Sequence, residues 1–152
     1  MAVDVLRVLA VLCSGVVAGV FIAVTLSVMP ALAQLPAPSY IRIHRLLGSG
    51  YHPTMPIVVL IVLLSDLALA LITTKGSFVI LLSVAMVLQV GVQAVSHLGN
   101  ERLNKRIRAV DEEMIGADWD DPRHAWRRWH IVRTVLAVAV FAINAIIAVI
   151  PT

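Results

Sequence analysis

The chain has 152 residues, 60% of them apolar and 14% charged, with a formal net charge of +3 and a mean hydropathy of +0.94. Disorder needs low hydrophobicity and high charge, and soluble domains carry about 45–50% apolar and about 25% charged residues. Both are excluded, and an integral membrane protein remains. Cys13 is alone, so there is no intrachain disulfide and no CxxC redox pair. The positive charge implies no nucleic-acid partner, because excess Lys and Arg in a membrane chain serves topology.

Four apolar runs, about 8–29, 56–72, 78–95 and 135–150, approach the roughly 20 residues that cross a hydrocarbon core. They lack the period-2 alternation of a barrel. The expected fold is therefore all-α: one integral membrane domain, residues 1–152, built as a four-transmembrane-helix bundle. Ala31-Leu32-Ala33 resembles a signal-peptidase site, but the 8–29 run is longer than a signal peptide's apolar region, and Asp4 stands where positive charge is needed. This run is expected to be retained as a helix. Gly15, Gly19 and Ala23 make a small-xxx-small stripe along it, suited to close helix approach.

In the first connection, 34–55, Pro36, Pro38 and Ser39 precede Tyr40-Ile41-Arg42-Ile43-His44-Arg45-Leu46-Leu47, and Gly48-Ser49-Gly50 closes the stretch. This predicts a short amphipathic helix at the interface. Gly76 and Ser77 in the second connection suit a tight antiparallel hairpin. Between the third and fourth spans, helical spacing continues to about 108. Asp120-Asp121-Pro122 then reads as an N-cap with Pro at the first helical position. Helical extensions are expected over 96–108 and 122–134, with Trp126 and Trp129 as an aromatic belt. Arg7 and Lys75 mark one side of the membrane, and ten Lys and Arg mark the other. This predicts that the long connections are cytoplasmic, both termini are outside, and the location is a bacterial-type inner membrane. Of the charged residues, 14 lie between Glu101 and Arg128, seven of each sign, so a nearly neutral cap should cover an apolar bundle.

The candidate functional residues lie where that cap meets the membrane. Gln89, Gln93, His97, Asn100 and Asn104 recur at spacings of three and four and read as one face of one helix. Lipid does not accept such a stripe, so it should face the interior, as a ladder of interhelical hydrogen bonds or as the lining of a polar cavity. Trp126, His130 and Arg133 share a face of the fourth helix, with Thr134 beside it. Arg133 either snorkels to headgroups or faces an internal anion. Asp66, the one acid within a span, is placed opposite Ser83 by counting from the hairpin. It either extends the polar interior or is a protonated carboxyl bonded to Ser83 or a backbone carbonyl. His44, His52, His97 and His130 supply imidazoles of the kind that copper, iron or zinc accepts. His97 with His130 could also hold a haem, and no cofactor at all is a third option.

Three segments carry a family resemblance. Val28-Met29-Pro30-Ala31-Leu32 closes the first helix, Asn100-Glu101-Arg102-Leu103-Asn104 follows the third, and Trp126-Arg127-Arg128-Trp129-His130-Ile131-Val132-Arg133-Thr134 opens the fourth. Together they resemble the anthrone oxygenase-like integral membrane family, which consists of small four-helix proteins. Arg102 stands where that family usually has Pro, and His44 and Leu47 stand where members often carry Gln and Asn. The resemblance implies oxidation of a small lipophilic aromatic substrate, as anthrones are oxidised to anthraquinones, without a conventional organic cofactor. His97 or His130 would be the base, and Arg133, Asn100 and Asn104 would stabilise the oxyanion. Trp126 and Trp129, with Gln89, Gln93 and His44, would bind the substrate. On this reading His97→Ala and His130→Ala should each abolish turnover. A second expectation is a ligand-binding or transport protein using the polar stripe and Asp66. A third is a non-catalytic membrane subunit. The partners expected are the bilayer, a small lipophilic molecule and, as an option, further copies of the chain.

Overall fold

The computed structural model describes residues 1–51, 53–111, 115, 116 and 119–150. Among the described residues the chain is all-helical. The helices are α1 (Ala2–Ala33), α2 (Ala37–Ser49), α3 (Thr54–Ile72), α4 (Gly76–Ala109) and α5 (Arg123–Val149). α1, α3, α4 and α5 are long and apolar enough to cross a membrane, and the protein is an integral membrane protein. At 1.5 Å per residue, the 34 residues of α4 extend about 51 Å, well beyond a hydrocarbon core of about 30 Å. The surplus carries the cap.

The bundle packs around two stacked apolar clusters. One joins Ala10, Leu69, Leu82 and Ile147 near the hairpin end. The other joins Val17, Phe21, Val59, Val92 and Ala137 farther along. Each inward face recurs at helical spacing, such as Ala10, Ser14, Val17, Ala18 and Phe21 on α1. The small-residue stripe expected there does not pack within the bundle as a unit. Gly15 meets the Phe141 ring, 3.2 Å from where its Cβ would stand, whereas Gly19 and Ala23 face outward. The interior row on α1 is instead the one that carries Ser14 and Phe21.

Two π-helical turns interrupt the long helices, at Val24–Val28 in α1 and Ser96–Asn100 in α4. The first lies just before Pro30, which lacks an N–H and would clash with the carbonyl four residues back in a regular α-helix. A wider turn there accommodates it. The second contains Gly99.

The cap is a third apolar cluster of Leu32, Tyr40, Ile41 and Ile107, with Val110, Ile115 and Trp119 against it. α2 is amphipathic, as expected, but longer than 40–47. Its Tyr40, Ile41 and His44 face the protein while Ile43, Leu46 and Leu47 face out. Arg45 donates to the carbonyls of Ile107, Arg108 and Val110, a cation capping the C-terminal end of α4. Arg123 lies over the rings of Tyr40 and Trp119 and donates to the carbonyl of Ala33. The cap is thereby tied to the ends of α1, α4 and α5.

Candidate functional site

His130 is fully enclosed at 0% exposure. Arg133, one turn on along α5, donates from Nε (3.0 Å) and Nη2 (2.7 Å) to its Nδ1. A guanidinium only donates, so Nδ1 carries the lone pair and Nε2 carries the hydrogen. Nε2 donates to the carbonyl of Phe21 at 3.0 Å. His130 is therefore a neutral imidazole of defined tautomer. Phe21 stands just ahead of the first π-turn, and its carbonyl also accepts from Thr25 Oγ1 at 2.9 Å. Thr134 donates to the carbonyl of His130, and its hydroxyl lies 3.3 Å from that of Thr25. These hydroxyls lock α1 to α5 beside the imidazole.

Aromatic rings wall the pair. Trp126 stacks on His130 with centroids 5.0 Å apart and planes 4° from parallel, and Phe21 meets its edge at 5.6 Å. The Arg133 guanidinium sits 4.6 Å from the Phe21 centroid and 5.8 Å from that of Trp126. Arg133 thus faces inward onto the π faces and does not snorkel, and in this setting the cation–π attraction is worth about 1–2 kcal/mol. Trp126 also lies inside the protein, which corrects its expected place in an outer aromatic belt.

A chain of hydrogen bonds fixes Trp126. Its Nε1 donates to Asn104 Oδ1 at 2.9 Å, Asn104 donates to Glu101 at 3.3 Å, and Arg108 pairs with Glu101. Asn100, 1% exposed, donates to the carbonyl of Trp126 at 3.2 Å. His44 meets the indole edge-on at 5.4 Å, and Tyr40 tilts against the His44 ring at 5.5 Å. Burial, and then the Arg108 charge, push the His44 pKa down to about 4. Burial pushes the Tyr40 hydroxyl up to about 12.

Of the expected site residues, the structure thus gathers His130, Arg133, Trp126, Asn100, Asn104 and His44. Gln89 is buried farther into the bundle and Gln93 is half-buried. His97 is exposed and does not join them. A row of residues four apart drifts about 40° per step around an α-helix of 3.6 residues per turn. Two such steps carry His97 well away from the face of Gln89, whereas the three-residue step to Asn100 brings the row back. Trp129 is 43% exposed and backs onto Gly99, where a Cβ would stand 2.5 Å from its ring. Beside it a groove of about 310 Å³ is lined by Ala125, Arg128, Trp129 and Val132.

Among the described residues the histidines do not assemble as ligands. His44 and His130 each pack on the Trp126 indole, both nitrogens of His130 are engaged, and His97 is exposed. His52 lies outside the described residues. Among the described residues, no three His, Cys, Asp or Glu side chains gather in a way that could hold a metal ion. The bis-histidine haem expected from His97 and His130 does not fit for the same reasons. Asp66 does not meet Ser83, which is exposed. It lies fully buried beside Asn144 of α5.

Sequence reasoning missed Phe21, Glu101 and Asn144. Phe21 contributes a backbone carbonyl, which leaves no trace in side-chain patterns. Glu101 stands inside the Asn100–Asn104 segment, and a carboxylate spaced three from Asn104 and seven from Arg108 is a usable signal on a helix. Asn144 is an amide in mid-span, itself a signal. No curated protein and no solved structure matches the chain. The family described as anthrone oxygenase matches residues 44–143, more than half of the sequence and all of the site apart from Phe21, Thr25 and Tyr40. The chain belongs to the anthrone oxygenase family.

Proposed function

We propose that the protein is a membrane oxidoreductase of oxygenase type that acts on a lipophilic aromatic substrate at the cap end of the bundle. The observation that carries this reading is the His130–Arg133 pair, a neutral imidazole whose lone pair is covered by a guanidinium between two aromatic rings. An activated CH₂ beside an aryl ketone loses a proton to form an enolate. Arg133 is only partly buried, and an oxyanion draws its fork away from Nδ1. The released lone pair then accepts the substrate's proton, while the guanidinium neutralises the oxygen. The electron-rich enolate reduces dioxygen. Overall, one O₂ converts the CH₂ to C=O, with one oxygen atom retained and the other leaving as water. The groove beside Trp129, on the outer face of α5, has a volume in the range of small-molecule sites and is the proposed place where the substrate first docks. By the distribution of Lys and Arg, the cap faces the cytoplasm.

The test uses purified full-length protein with anthrone as probe, following O₂ uptake and anthraquinone formation. His130→Ala should lower turnover about 10²–10⁴-fold and Arg133→Leu about 10²–10³-fold, with both proteins still inserting and purifying. Turnover unchanged in both variants overturns the assignment.

A further inference from the structure

A second polar layer lies outside that site and plays no part in it. Asp66 on α3 and Asn144 on α5 are 0% and 2% exposed and lie side by side. They lie close enough for a side-chain hydrogen bond, yet neither oxygen of Asp66 and neither polar atom of Asn144 makes a well-formed one. Leu69 and Ile147, three residues farther along the same helices, close one apolar cluster, and Val59 and Ala137 belong to the other. The pair is thus shut between two apolar layers in mid-bundle. The nearest inward polar side chains of the neighbouring helices are uncharged: Ser14 on α1 and, about one turn nearer the cap, Gln89 on α4, both 2% exposed, with Gln89 Nε2 also lacking a hydrogen-bond partner. Ser14 already bonds back to its own helix at the carbonyl of Ala10. The nearest charged side chains on these elements are Asp4 and Arg7 of α1 and Lys75 ahead of α4, all at the hairpin end, and the free thiol of Cys13 on α1, half-buried beside Ser14, is the one other titratable group near this layer among the described residues. His130 and Arg133 stand toward the cap.

Among the described residues no cation faces Asp66, so only the neutral Asn144 amide offsets the desolvation of an ionised carboxylate here. It would also leave the Asn144 oxygen against a like partial charge. The neutral acid removes both problems. Its O–H donates to Asn144 Oδ1, its C=O accepts from Asn144 Nδ2, and all four orphaned atoms are satisfied at once. The terminal torsions of Asp and Asn are broad, so rotation about them closes both bonds. A cavity of about 370 Å³ opens at the hairpin end, lined by Arg7, Lys75 and Phe78 and floored by Leu69, Leu82 and Ile147. That floor lies one turn from the pair. We infer that Asp66 and Asn144 form an intramembrane proton-binding site, a cyclic acid–amide pair loaded through the floor of this cavity.

Infrared spectroscopy of the purified full chain at neutral pH tests this. Wild type should show the C=O stretch of a protonated carboxylic acid, shifted on exchange into D₂O. Asp66→Asn should lose that band while keeping the fold, because two amides still make both hydrogen bonds. Asn144→Leu, which removes the partner, should move the band in frequency. Leu69→Ala thins the floor and should speed deuteration of the band. Absence of the band in wild type, or its persistence in Asp66→Asn, overturns the site. An unchanged deuteration rate in Leu69→Ala overturns the route.

Discussion

The two polar regions of the bundle use similar residues and solve opposite problems. Toward the cap, Trp126, Asn104 and Glu101 are joined by hydrogen bonds, as are Arg133 and His130, while His130 reaches the carbonyl of Phe21 and Asn100 that of Trp126. In mid-bundle, Asp66 and Asn144 lie side by side without a well-formed hydrogen bond between them. The difference lies in the backbone. A π-turn and a helix start place carbonyls within reach at the cap end, where side chains can use them. In mid-span the helices consume their own backbone groups, and a polar side chain depends on another side chain or on a proton. The cap end therefore fixes a geometry, whereas the mid-bundle pair has a protonation state to settle.

Acid should separate the two regions most sharply. His44 stays neutral in the folded cap down to about pH 4, through burial and the Arg108 charge, whereas in the unfolded chain it binds a proton near pH 6.5. Between these values the unfolded state holds more protons. Stability is therefore full above about pH 6.5 and falls as pH drops, by about 3 kcal/mol in total. The melting temperature should fall between pH 7 and pH 4, and His44→Phe, which keeps a ring against Tyr40 and Trp126, should remove most of that decline. An equal decline in the variant would show that the cap's acid sensitivity lies elsewhere. The next largest effect should come from Gly99→Ala. The new Cβ would lie 2.5–2.6 Å from the Trp129 ring, an overpacking of about 1–3 kcal/mol, which outweighs the gain in helix propensity of about 1 kcal/mol. A lower melting temperature with altered tryptophan fluorescence is expected, and the Asp66 carboxyl band should not move.

The architecture was legible because its signals are long-range averages. Apolar runs mark the four helices, and Asp121-Pro122 marks the start of α5. Helical spacing past residue 95 marks the projection of α4. The site was legible where one helix sufficed. Trp126, His130 and Arg133 share a face in the sequence and in the structure. What failed was azimuth between helices. Counting from the hairpin gives the height of Asp66 but not which neighbour it faces, so Ser83 was expected where α5 supplies Asn144. The stripe on α4 failed at His97 through the drift of a spacing of four. The Phe21 carbonyl was beyond any pattern in side chains, since every residue has one.

Two small substitutions sharpen the picture of the cap end. Trp126→Phe keeps a ring on His130 but removes the donor to Asn104. It should cost about 1 kcal/mol, the net worth of one hydrogen bond, while leaving the acid sensitivity of His44 in place. His97→Ala should do least of all. The side chain is exposed and lies off the inward face of α4, so stability should change by no more than about 0.5 kcal/mol, and anthrone turnover should stay near wild type. The sequence alone placed His97 and His130 in the same role, so this pair of variants decides between a face read at a spacing of four and the face the helix presents. If His97→Ala were as inactive as His130→Ala, α4 would have to turn in the working protein. The Asn100–Trp126 hydrogen bond and the Gly99–Trp129 contact, which hold it in its present rotation, would then both have to break.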